Sequence, residues 1–169
     1  MDAMPDTPSD ADLRGDAVAV AELLLARGLM LVTAESCTGG WIAKTLTDLP
    51  GSSAWFEAGV VAYSYEAKEA LLGVNPRTLE RSGAVSEEAV MEMVSGALAR
   101  CGAGVAVAVT GIAGPGGGTP DKPVGSVWIG WKRRGGYAQA RLFRFAGDRE
   151  AVRRQTVAES LAGIRRILT

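Results

Sequence analysis

The sequence predicts a domain of the α/β class, with helices on both faces of a mixed sheet. Segments with apolar residues at helical spacing stand before, between and after short runs of strand-forming residues. The run V-A-V-A-V-T at 105–110 reads as a central strand. Gly135-Gly136, between two further strand-like segments, suits a tight hairpin, so the sheet is not purely parallel. With 169 residues and 47% hydrophobic content, the chain can bury one sizeable core.

Residues 1–10 are acidic, small and Pro-containing, and are expected to form a disordered tail ahead of a single domain over 11–169. Ala17, Val20, Ala21 and Leu24 follow the i, i+3, i+4, i+7 pattern of a first helix, which Gly28 can end in a left-handed conformation. A buried strand is expected over 29–34. The segment E-S-C-T-G-G-W-I-A-K-T-L then turns into a second helix with Thr38 as its expected N-cap, ended by Pro50-Gly51. A strand over 56–64 leads to a short helix, E-A-K-E-A-L-L-G, stopped by Gly73. Ser86 with Glu87 and Glu88 opens a long helix striped by Val90, Met93, Val94 and Ala97, and Gly102 and Gly104 close it. After the central strand, G-I-A-G-P-G-G-G-T-P-D-K-P is too rich in Gly and Pro for regular structure. Strands over 124–132 and 137–145 flank the hairpin glycines. Asp148 caps a last helix striped by Val157, Leu161, Ile164 and Leu168.

Composition narrows the chemistry. A formal net charge of -1 with 22% charged residues gives no electrostatic footprint for nucleic acid or an acidic membrane, which favours a small-molecule partner. The N-terminus lacks a secretory pattern and no apolar run reaches spanning length, so a cytoplasmic location without membrane contact is expected. Cys37 and Cys101 cannot build a disulfide framework, and no C-x-x-C spacing suits zinc. The chain has no histidine, which removes the commonest general base, the commonest metal ligand and every Ser-His-Asp device.

Four segments can carry chemistry. Ser36, in A-E-S-C-T-G-G, sits where a strand hands over to a helix, a corner that exposes its hydroxyl beside free amides able to hold an oxyanion. The competing reading is that Ser36 or Thr38 only caps the helix. Lys68 is a base candidate in a chain without histidine, although a lysine on a short helix is ordinarily solvated. Shifting its pKa from about 10.4 to about 7.5 requires roughly 4 kcal/mol of ammonium destabilisation, which an apolar pocket supplies by desolvation. The loop over 111–122 fits neither a Walker A nor a G-x-G-x-x-G pattern, yet its glycines can present amides to a polar ligand; the alternative is a plain linker. Arg149 and Arg153, four apart at a helix start, can grip a phosphate, or merely pair with Asp148 and Glu150 at the surface.

The segments A-E-S-C-T-G-G-W-I-A-K, G-S-S-A-W-F-E-A-G-V-V-A-Y-S, E-A-K, G-A-V-S, T-G-I-A-G-P-G-G-G-T-P-D-K-P-V-G-S-V-W and G-D-R-E-A-V-R together resemble the CinA C-terminal domain family in order and spacing. The resemblance covers the chain from residue 13 onward. It implies a three-layer α/β/α sandwich around a mixed, mostly parallel sheet, and hydrolysis of the nicotinamide mononucleotide carboxamide to nicotinic acid mononucleotide and ammonia. It also implies a metal-free and cofactor-free serine/lysine mechanism with Ser36 as nucleophile, Lys68 as base, and amides around Cys37, Thr38 and Gly39 as oxyanion donors. Glu35, Ser53, Tyr63, Thr110, Gly111, Gly114, Arg149 and Arg153 are the expected substrate contacts, and a homodimer is expected. The family pattern Y-S-N-E-A-K carries Asn where this chain has Tyr65, so a pocket contact or the surroundings of the lysine are expected to differ here. A non-catalytic nucleotide-binding module and an amidohydrolase of another small amide are the competing functions.

Overall fold

The computed structural model describes residues 6–169. The expected tail differs at its end: residues 1–5 lie outside the described residues, and Ser9 already N-caps the first helix. Ser9 and Asp12 form a reciprocal capping box, so helix α1 runs Asp10–Arg27. The remaining elements, in chain order, are β1 (Leu31–Glu35), α2 (Trp41–Thr47), β2 (Phe56–Val61), α3 (Tyr65–Leu72), α4 (Pro76–Ser82), α5 (Glu87–Ala99), β3 (Val105–Gly111), β4 (Ser126–Arg133), β5 (Gln139–Arg144) and α6 (Arg149–Leu168).

The five strands form one mixed sheet in the order β2-β1-β3-β4-β5. β1 pairs in parallel with both β2 and β3, whereas the β3/β4 and β4/β5 pairs are antiparallel. Parallel pairing therefore holds at the core, and the expected hairpin adds β4 and β5 on one side. Two apolar clusters face the two sides of this sheet, giving three layers.

The alternation V-A-V-A-V in β3 sorts itself between them. Val105, Val107 and Val109 join the cluster of α1, α2 and α6, while Ala106 and Ala108 face α5 with Val90, Met93, Val94 and Ala97. The small alanines let α5 approach closely; an added Cβ at Gly130 on neighbouring β4 would stand 3.3 Å from the Val90 carbonyl oxygen.

Two local expectations are corrected. Helix α4 was not anticipated, although Asn75-Pro76 is a strong start: the Asn75 side chain accepts from Arg77 N and Pro76 fills N1. Thr38 does not cap α2. Gly40 occupies that position without a side-chain bond, and the helix amides are taken instead by a carboxylate from the preceding strand.

Candidate active site

The chain leaves β1, forms β2 on one side of it, and then crosses back through α3, α4 and α5 to place β3 on the other. The carboxyl ends of β1 and β3 thus flank a topological switch point, where open α/β sheets form ligand crevices. Ser36 follows β1 immediately, and its amide donates to Val109 O at 3.2 Å. Beside it the loop after Gly111 closes a cleft of about 280 Å3.

Lys68 enters from α3, whose start is fixed by the Ser64 hydroxyl accepting from Ala67 N at 3.0 Å. Its side chain is 1% exposed. Nζ lies 2.9 Å from Ser36 Oγ, 3.0 Å from Ala62 O and 3.3 Å from Tyr63 O. None of the salt bridges among the described residues reaches it. Burial pushes its pKa down, outweighing a smaller opposite influence of Cys37. A neutral amine has two N–H groups and one lone pair. The two carbonyls can absorb both donors, which leaves the lone pair facing the serine hydroxyl.

Cys37 behaves differently. Burial, reinforced by the nearby Glu35 charge, pushes its thiol up to about 12, so it stays protonated. Among the expected oxyanion donors, the Gly39 amide is already committed to Ser36 O at 2.9 Å, which leaves those of Cys37 and Thr38.

The cleft gathers Ser36, Cys37, Tyr63, Lys68, Thr110, Gly111, Gly114 and Arg149. Arg149 Nη1 donates to Gly114 O at 2.8 Å and Nη2 to the Tyr63 hydroxyl at 3.1 Å, which holds an exposed guanidinium at the mouth. Thr110 Oγ1 donates to Ala84 O at 2.9 Å. At Gly111 a Cβ would meet Val127 Cγ2 at 2.6 Å and Ser126 O at 2.9 Å, so no larger residue fits there.

Three expected substrate contacts, Glu35, Ser53 and Arg153, stand elsewhere. Glu35 is 1% exposed; its carboxylate accepts from Thr38 Oγ1 at 2.6 Å, Ile42 N at 2.8 Å and Ala43 N at 3.0 Å, and so anchors α2 rather than a ligand. Ser53 lies in a 3-10 turn just before β2, at the opposite end of the parallel strands. Arg153 lies behind the Ser36 turn, and the Thr38 side chain, fully buried, donates to Glu35, which leaves its amide as the part that can serve the site. Thr38, Gly39 and Arg153 line a separate, larger hollow of about 660 Å3 beside α1 and α2.

Sequence reasoning gave no role to Ala84 and Val85, which line the cleft; Tyr65, singled out as a departure from the family pattern, lines it too, and its hydroxyl accepts from Ala84 N at 3.3 Å. The G-A-V-S segment signalled their position, but nothing local told which group it would face. No cluster of three or more His, Cys, Asp or Glu side chains suited to a metal occurs among the described residues. No helix among them is long and apolar enough to cross a membrane.

The profile of the CinA C-terminal domain matches residues 15–168. A nicotinamide-nucleotide amidohydrolase, PncC, of Escherichia coli K12 is 51% identical over 153 residues, covering 90% of this chain and 93% of the relative. A Pseudomonas putida protein of the same name is 55% identical over 134 residues, 79% of this chain and 83% of its own. A crystal structure of a competence-damaged protein (CinA) superfamily member from Klebsiella pneumoniae superposes with a TM-score of 0.89 at 42% identity, over 92% of this chain and 97% of that one.

Proposed function

Because the chain belongs to the CinA C-terminal domain family, we propose that it is an amidohydrolase that converts nicotinamide mononucleotide and water to nicotinic acid mononucleotide and ammonia. The observation that carries this reading is the 2.9 Å approach of a buried, uncompensated amine to the Ser36 hydroxyl. Relatives named nicotinamide-nucleotide amidohydrolase support the substrate.

Ser36 Oγ attacks the carboxamide carbon while its proton passes to Lys68 Nζ, and the amides of Cys37 and Thr38 receive the oxyanion. The C–N bond then breaks as Lys68 returns the proton to the departing nitrogen, and ammonia leaves. A water molecule gives its proton to Lys68 and attacks the ester carbon. Ser36 leaves with that proton, restoring both groups. Arg149, at the mouth, addresses the phosphate, with Tyr63 and Gly114 holding it in place. We further propose that the protein works in the cytoplasm, as a homodimer of single-domain chains, in pyridine nucleotide recycling.

Ammonia release from nicotinamide mononucleotide tests the reading. Ser36→Ala and Lys68→Ala are each expected to lower kcat by about 10²–10⁴ while the substrate still binds. Nicotinamide riboside and nicotinamide are expected to be much poorer substrates. Binding without turnover in the wild type would return the non-catalytic alternative, and equal rates on all three amides would remove the phosphate contact.

A further inference from the structure

Ser36 and Cys37 line the catalytic cleft, Thr38, Gly39 and Gly40 line the larger hollow, and one side chain of the hollow grips this turn. Arg153, in the second turn of α6, donates from Nε to Cys37 O at 3.1 Å and from Nη2 to Thr38 O at 3.0 Å. Its guanidinium also lies 5.2 Å from the ring of Trp41, the first residue of α2. These carbonyls end no helix, so the contact is not a C-terminal cap.

In a trans peptide the carbonyl oxygen and the following amide hydrogen point in opposite directions. Holding Cys37 O therefore turns the Thr38 N–H away from Arg153 and the hollow. The Gly39 amide, bound to Ser36 O, turns the Cys37 N–H in the same manner. The two amides left for an oxyanion are thus aimed by two devices, a local backbone turn and a side chain 116 residues later in the chain. Gly39 and Gly40, at φ of 60° and 100°, follow at once, and such residues allow a neighbouring peptide unit to rotate. Thr38 is also held within the turn, by its hydroxyl bond to Glu35 and by Trp41 N donating to its carbonyl, but the bond to Cys37 O comes from outside it.

Resting on the Ser36 and Lys68 reading above, we infer that Arg153 is a positioning residue for the reaction. It locks the 37–38 peptide unit so that the Thr38 amide faces the oxygen that gains negative charge when Ser36 attacks. A guanidinium is well matched to this role, because it is charged at every working pH and its fork reaches two successive carbonyls at once. Its charge behind Cys37 O also polarises the peptide unit and strengthens the amide as a donor.

In Arg153→Met, kcat for ammonia release is expected to fall ~100-fold, the scale of losing an oxyanion donor, with KM little changed. Arg153→Lys, which keeps the charge and can bind one carbonyl, is expected to fall between that variant and the wild type. Wild-type kcat in Arg153→Met, or a loss confined to KM, would overturn the inference. Should Arg153→Met not fold, a wild-type kcat in Arg153→Lys would overturn it equally.

Binding of pyridine-3-boronic acid reads the same geometry without turnover. There Ser36 Oγ bonds to boron, its proton passes to Lys68, and a boron-bound oxygen takes the oxyanion place. Arg153→Met is expected to bind it ~10-fold more weakly while keeping its affinity for nicotinamide mononucleotide; an equal loss for both compounds overturns the inference. A wild type that releases no ammonia yet gives this boronic-acid pattern would sink the proposed activity and still support the role of Arg153.

Discussion

A lysine whose folded-state pKa lies below its unfolded value binds fewer protons folded than unfolded. Folding stability then rises with pH between the two values, and the cost of burying the amine is largest below the folded one. Lys68 is pushed down by burial, so its window lies below about 10.5. Relative to wild type, Lys68→Met is expected to be more favoured at pH 7 than at pH 10. Urea unfolding at both values measures this, and a difference that does not change with pH would mean the amine keeps an ordinary pKa. Cys37, pushed up to about 12, gives the opposite slope above the usual thiol range, but does so in both proteins. The same depressed pKa makes kcat/KM rise with pH as Lys68 loses its proton.

Residue types told which groups could react, because a chain without histidine leaves few bases. They did not tell what Glu35 or Arg153 would face. Glu35 adjoins the reactive segment and Arg153 lies far along the chain from it, and only the turn geometry reveals that each is consumed by backbone partners.

At the scale of elements, the periodic patterns were legible wherever one face is buried. The α1 stripe, the α5 stripe and the β3 alternation all appear as read. What escaped were α4, only seven residues long with an apolar face too short to register, and the true cap of α2, a carboxylate supplied from the end of the preceding strand. Helix packing also depends on positions that a pattern counts as neutral. Gly163 on α6 lies against the Trp131 indole, whose Nε1 donates to Ser160 O at 3.0 Å, and a methyl group there would overlap the ring. Gly15 on α1 has nothing within 4 Å. Gly15→Ala is therefore expected to stabilise by up to about 1 kcal/mol from helix propensity. Gly163→Ala is expected to destabilise by about 1–3 kcal/mol from overpacking, despite the same propensity gain. Thermal unfolding of both variants separates the effects, and equal shifts would show that α6 can slide to make room.

For the whole molecule, the sheet order decided what no local pattern could. Sequence placed Ser53 in a segment resembling the family's, but the strand direction carries it to the far end of β2, whereas Ser36, Tyr63 and Gly111 all leave the parallel strands at the same edge. Strand order was not readable, because it depends on a crossover between elements that pattern treats one at a time. The proposed homodimer is likewise a property of the whole surface; sedimentation equilibrium is expected to give twice the chain mass, and a monomer at working concentration would remove it.

The indole of Trp41 lies close to two guanidinium groups, Arg153 at 5.2 Å and Arg154 at 5.0 Å. Its excited state is sensitive to the charges around it, so the molecule carries a built-in optical reporter a few residues from the nucleophile. Any rearrangement that loosens the grip on this corner will change the colour or brightness of that indole, one of four in the chain, and subtracting the emission of a Trp41→Phe variant isolates it without a label and without a reaction.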